Sequence, residues 1–266
     1  MKRLRPLLAV GAVLASGLAT LAIAGPERVD TRLRVTAASR HDTSAALRTL
    51  VTPWKPRAGS IVQGPGRHAM VTTPHLLDPV QQTSTRIPAR ARLVTSFEGI
   101  GNGYGGGYMP NSIPPDTVGS VGRTQYVQWV NSSFAIFDKQ TGAHVLGPVD
   151  GSALWKGFGG PCEKTNDGDP VVTYDRAADR WVLQQFVANP PYFECLAVSK
   201  TSDATGAYNR YAFGLPAFGD YPKSGVWSHS YVQTHNMFNG ESGSKVCARE
   251  RAAMLAGRTA GTAGRA

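Results

Sequence analysis

The chain has 266 residues, long enough for one large domain or two ordinary ones, and 28 Lys/Arg against 18 Asp/Glu give it a formal charge of +10. Residues 1–96 carry 14 basic against 4 acidic side chains, residues 97–238 carry 9 against 12, and the last 28 residues carry 5 against 2. The positive charge therefore lies in the terminal segments rather than on an aromatic-rich region, which speaks against nucleic acid as a partner.

At the start, Lys2, Arg3 and Arg5 precede an apolar run from Leu7, and small residues stand at Ala22 and Ala24. This pattern predicts a signal peptide over residues 1–24 and a secreted, extracellular or periplasmic protein. The competing reading is an uncleaved anchor, because Leu7 to Ala24 approaches the length of a spanning helix. No later segment is apolar for long enough to span a membrane. Residues 25–95 are rich in Thr, Ser, Arg and Pro, with little periodicity, and read as a largely disordered basic arm. One short helix is expected there, from Thr43 to Val51.

The composition changes at Phe97. "FEGIGNGYGGGYMPNSIPPDT" has glycines at 99, 101, 103, 105, 106 and 107. A phosphate-cradling loop of this kind needs a strand before it and a helix after it, and Pro114-Pro115 blocks the helix. The segment reads as a mobile surface loop. Short apolar runs separated by turn signals come next: "TQYVQWVN", "SFAIFD", "PVVTYD", "RWVLQQFV", "FECLAVS" and "SYVQTHNMF". These predict many short strands, with "DKQTGA" and "DRAADR" as polar turns. Helical periodicity returns only at "RERAAMLAG".

The strands recur. Asp116, Asp169 and Asp220 stand 53 and 51 residues apart, and each opens a unit containing an aromatic-led strand: "YVQWVN", "WVLQQF" and "YVQTHN". A unit of about 50 residues with several strands and no helix has the size of a propeller blade. The expected fold is all-β and β-propeller-like over residues 96–257, about three blades of antiparallel strands, with residues 258–266 as a disordered tail. Propellers usually close with four blades or more, so the reading is an incomplete propeller and the chain a truncated piece of a longer one. In this register Asp116, Asp169 and Asp220 would meet at one end of the axis. Asp175 and Asp179 would be turn formers on the far face, and Trp181 would pack between blades.

Three cysteines would enter an oxidising compartment. Cys162–Cys195 is the preferred disulfide, because both flank the same unit, and Cys247 is the odd thiol. "NDGD" offers oxygen ligands on a tight turn, so Asn166, Asp167 and Asp169 are candidate calcium ligands, against the plainer reading of a solvated turn. Calcium is the one cofactor considered.

The stretches "IPPDTVGSVGRTQYVQWVNSSFAIFDKQTG", "LWKGFGGPCEKTNDGDPVVTYDRAADRWVLQQF", "YFECLAVSKTSDATGAYNRYAF" and "DYPKSGVW" together resemble a family of secreted bacterial proteins expected to form β-propellers and mostly without established activity. The resemblance covers Phe97 to Gly257. It departs from the family at Val118, where members usually read "PPDTNG", and members continue past the end of this chain. It implies a fold and an extracellular address and assigns no catalytic residue.

Two functional readings are open. The first is a non-catalytic binding or structural protein engaging a glycan or cell-surface ligand, with the loop from Gly99 to Asn111 as contact surface. Tyr104, Tyr108, Trp129 and Trp155 are candidate stacking residues, although core packing is the favoured role for the two tryptophans. The second is a glycoside hydrolase-like enzyme with Asp116 and Asp169 as its carboxylate pair. That chemistry needs an acid of raised pKa, and Glu98, Glu163 and Glu194 read as loop, turn and outer-strand residues instead.

Overall fold

The structure, a computed structural model, describes residues 34–52, 93–110, 112–239 and 243–265. The expected signal peptide and the greater part of the arm lie outside the described residues. Two short strands come first, β1 (Arg34–Ala37) and β2 (Arg40–Thr43), then a single helical turn, α1 (Leu47–Leu50). Three antiparallel meanders come after it. The first joins β3 (Val118–Val121), β4 (Gln125–Val130), β5 (Ser133–Asp138) and β6 (His144–Asp150). After helix α2 (Pro161–Lys164), the second joins β7 (Val171–Asp175), β8 (Arg180–Val187), β9 (Phe193–Ser199) and β10 (Tyr208–Gly214). The third joins β11 (Phe218–Val226), β12 (Ser230–Phe238), β13 (Gly243–Glu250) and β14 (Gly261–Arg265), with helix α3 (Arg251–Leu255) before its last strand.

Aspartates build the hairpin turns. Asp138 Oδ1 accepts the N–H groups of Gln140 and Thr141, and Asp175 Oδ1 accepts that of Ala178. In the β9–β10 turn, Asp203 Oδ1 accepts the N–H of Thr205. Such short side chains satisfy the backbone donors that a tight turn strands, which makes "DKQTG" and "DRAAD" readable as turns.

The middle sheet lies between the other two, and its strands β8 and β9 are buried almost throughout. On one side Trp129, Phe134, Trp155, Trp181, Leu183 and Cys195 share an apolar core. On the other, Val182, Leu196, Val198, Tyr211 and Phe213 meet Tyr231, Met254 and Ala260. Trp181 is fully buried, and Gly122 of the first sheet packs so closely on its ring that a Cβ would sit 2.6 Å from it. That is the inter-sheet role expected for this tryptophan.

Strands absent from the sequence reading stand before the three meanders and at their end, among the described residues. The arm is not disordered over its described part: β2 pairs with β10 and β1 pairs with β14, adding a fifth strand to the second and third sheets. The tail is not disordered either, because β14 lies between β13 and β1. These strands are held by backbone pairing to an exposed sheet edge, which no hydrophobic pattern announces. Arg210, nearly sealed, fixes β2 through a bidentate pair with Asp42 at 2.7 and 2.9 Å, and donates to the carbonyls of Leu154 and Lys156.

The glycine-rich segment also differs from expectation. It lies on the first sheet, where Ile100 and Tyr108 are buried against Val130, Ala135 and Phe137. Ile100 N–H donates to Gln128 Oε1 at 2.7 Å, an approach that leaves no room for a side chain at Gly99.

Candidate functional site

Each meander begins near an aspartate. Asp116 stands two residues before β3, Asp169 two before β7, and Asp220 is the third residue of β11. Asp116 and Asp169 have left-handed backbone (φ 38° and 42°), as does Tyr221 beside Asp220 (φ 50°). Aspartate tolerates this region better than most residues, which accounts for its use where the chain turns into the first strand of a meander. Tyr221 is a bulkier outlier of the kind that marks a constrained site.

The three carboxyls are brought together. Burial pushes the pKa of Asp169 up, and the charges of Asp220 and Asp116 push it further. Its side chain also shares a hydrogen bond with that of Asp220, while the Tyr221 N–H pulls in the opposite direction. Two carboxyls this close hold one proton between them more readily than two negative charges. Asp116 is steadied by Asn131, whose Nδ2 donates to Asp116 Oδ2 at 3.0 Å and to the Pro114 carbonyl at 2.9 Å. Tyr221 is 60% exposed next to Asp220, with the Lys223 ammonium 3.5 Å from its ring centre.

In the preceding loop, two of the three candidate calcium ligands serve the protein itself. Asn166 Oδ1 accepts the N–H of Ser152, and its Nδ2 donates to the Ser132 carbonyl, so it joins the loop to the first sheet. Asp167 Oδ2 accepts the Ala188 N–H at 2.8 Å and so fixes the end of β8. Gly168, at φ 97°, lies against the Asn131 side chain. Among the described residues no group of three His, Cys, Asp or Glu side chains is arranged to hold a metal ion. An ion at Asn166, Asp167 and Asp169 would compete with the bonds that shape the loop. The Cys162–Cys195 disulfide has formed, with Cα atoms 6.0 Å apart, and ties α2 and the loop after it to β9. Cys247 is a buried thiol on β13.

Trp129, Trp155 and Tyr108 are buried and offer no ring face to a ligand. The aromatic beside the acidic end is Tyr221, which sequence reasoning passes over because a single tyrosine within "GDYP" carries no pattern.

Glu194 is also misplaced by sequence reasoning. It sits on β9 and is fully buried between the second and third sheets, where burial pushes its pKa up to about 8 against the lowering effect of Arg249 and Gln233. The charge of Asp169 acts in the same upward direction as burial. His235 on β12 faces it, with Nδ1 3.8 Å from Glu194 Oε2. Burial, with the charges of Arg249 and Lys245, lowers the His235 pKa to about 4.

No protein-family model, no curated protein and no solved structure matches this chain.

Proposed function

We propose that the chain is an extracellular binding protein whose three meanders are successive blades of a propeller-type fold. Its ligand site is the end of the inner strands, where Asp116, Asp169 and Asp220 converge. The observation that carries this reading is the convergence itself: Asp116 and Asp220, 53 and 51 residues from Asp169 in sequence, both act on its ionisation. The leader-like residues 1–24 and the disulfide support the extracellular address. The family resemblance supports both fold and address.

A glycan fits such a site. Carboxylates accept hydrogen bonds from vicinal hydroxyls, and the exposed ring of Tyr221 supplies a stacking surface beside them. Binding is favoured over hydrolysis because Glu194, the carboxyl with the strongly raised pKa, is sealed between two sheets and cannot reach a substrate. Hydrolysis remains the second reading on one observation, the raised pKa of Asp169 beside the charge of Asp116, since a glycosidase needs one protonated and one ionised carboxyl.

The test is a screen of immobilised neutral and amine-bearing oligosaccharides against the full chain, followed by calorimetry on any glycan retained. Binding lost in both Asp169→Asn and Tyr221→Ala supports the proposal. Absence of binding to every glycan, or binding indifferent to both substitutions, refutes it. Release of reducing sugar that is abolished by Asp116→Asn would establish the second reading.

A further inference from the structure

The two contacts of the middle sheet differ in chemistry. The side facing the first sheet is apolar around Trp129, Trp155, Trp181 and Leu183. The side facing the third sheet is apolar only in part, because a row of polar groups crosses it. Ser224 Oγ and Gln233 Nε2 both donate to Gln184 Oε1, and Arg249 Nε donates to Gln233 Oε1 at 2.9 Å. The Arg249 guanidinium stacks over Phe213 with its carbon 4.0 Å from the ring centre. Glu194 and His235 lie beside this row, both with fully buried side chains. The nearest partners, the Gln233 side chain for Glu194 and the Gly219 backbone for His235, fall short of full hydrogen-bond geometry.

Buried polar groups are nearly always paired, and a buried group that ionises without a donor is costly. Glu194 therefore sits comfortably between the sheets only as a neutral acid. Whether it keeps its proton depends on the groups that face it. From β13 come Arg249 and Lys245, with the Cys247 thiol next to Arg249; from β12 come His235 and Gln233; from β8 comes Gln184. Asp169, ahead of β7, supplies negative charge, with Asp220 on β11 beside it. Arg249 attracts the ionised form of Glu194, but its Nε is committed to Gln233 and its Nη2 has no hydrogen-bond partner. Attraction from one guanidinium does not offset burial here, and the net direction is upward.

We propose that the contact between the β7–β10 and β11–β14 sheets is a pH-gated joint, closed while Glu194 keeps its proton and opened when that proton leaves. The proposal stands apart from the glycan reading, because it concerns how two sheets hold together and not what they bind.

The signs are set by which state holds the proton more tightly. Glu194 binds its proton more tightly in the closed joint than in water, so its contribution is fully present below its ordinary pKa and is lost as pH rises through about 8. His235 binds its proton less tightly when closed, so its contribution is lost as pH falls from 6.5 towards about 4. The two oppose each other between roughly pH 4.5 and 6.5, leaving a plateau, and above that Glu194 dominates. The opening equilibrium should rise roughly tenfold between pH 6.5 and 8 after allowing for the residual charging of His235.

Amide hydrogen exchange of the full chain at pH 6.5 and 8, corrected for intrinsic rates, tests this. Protection in β12 and β13 should fall by about that factor while β4 and β5 keep theirs, and Glu194→Gln should remove the difference. Equal behaviour of the two sheets, or an unchanged pH effect in Glu194→Gln, would overturn the proposal. Should that variant not fold, the side-chain carboxyl of Glu194 can be titrated in the wild-type chain by carbon-13 NMR. A midpoint above 7 supports the joint, and one in the ordinary glutamate range overturns it.

Discussion

Asp175 is where removal of a single carboxylate should do most damage. Its sequence context predicts only the β7–β8 turn, and its Oδ1 does accept the Ala178 N–H. Its other contacts reach the third sheet. Arg251 Nε and Nη2 donate to it at 2.6 and 3.0 Å, and Tyr231 OH donates at 2.9 Å. Burial opposes its ionisation, but Arg251, Ala178 and Tyr231 together outweigh burial and hold its pKa below the usual value of 3.8. Asp175→Ala removes all four bonds and leaves a largely buried guanidinium without its carboxylate, its Nη1 still donating to the Ser228 carbonyl. Breaking a buried pair in this way costs about 3–5 kcal/mol, and 2–4 °C of Tm per kcal/mol at this size puts the fall at roughly 6–20 °C. The assay is urea and thermal unfolding followed by circular dichroism, with a double-mutant cycle against Arg251→Ala. A coupling above about 1 kcal/mol is expected between contacting charged groups. The contribution is present above the ordinary carboxylate pKa and is lost as pH falls through the depressed one. The gap between wild type and Asp175→Asn should therefore narrow below pH of about 4. A loss under about 1 kcal/mol for Asp175→Ala, or a gap that widens on acidification, would refute the inter-sheet role.

Three further outcomes are expected. Asp42→Ala should cost about 3 kcal/mol, because it leaves Arg210 buried without its carboxylate. An arm that does not fold onto β10 would show no change in denaturant midpoint. Replacing both Cys162 and Cys195 by Ala opens a loop with a sequence separation of 33 and should lower stability by about 4 kcal/mol, read from urea midpoints. Asn166→Ala should cost about 2 kcal/mol by releasing the Ser152 N–H and the Ser132 carbonyl, equally with and without calcium. A calcium-dependent loss would return Asn166 to the ligand reading.

Much of this arrangement is legible in the residues. The Asp-led turns come from local chemistry. The pairing of Cys162 with Cys195 and the approach of Asp116 and Asp220 to Asp169 agree with what their spacing in sequence suggests. Trp129, Trp155 and Trp181 are packing residues, as their place in apolar strands and turns suggests. Strands β1, β2 and β14 are not legible, because each is held by backbone pairing that "RVTA", "RHDT" and "GTAGR" do not encode in side-chain pattern. Glu194 escapes for a related reason. In β9, "FECLAVS" is buried on both faces, so it has no polar-apolar alternation to show which neighbours each side chain meets. The glycine-rich segment misleads because its burial comes from a few anchors, Ile100 and Tyr108 with Phe97 and Tyr104 packed partly against the same cluster, within a run that otherwise reads as solvent-exposed.

The most direct measurement of the central claim, that three distant aspartates share one end of the fold, is a carbon-13 NMR titration of their side-chain carboxyls. Asp169 should titrate above the ordinary aspartate range and should move down when Asp220 is replaced by Asn. An Asp169 that titrates as an isolated aspartate and is indifferent to Asp220→Asn would contradict the account.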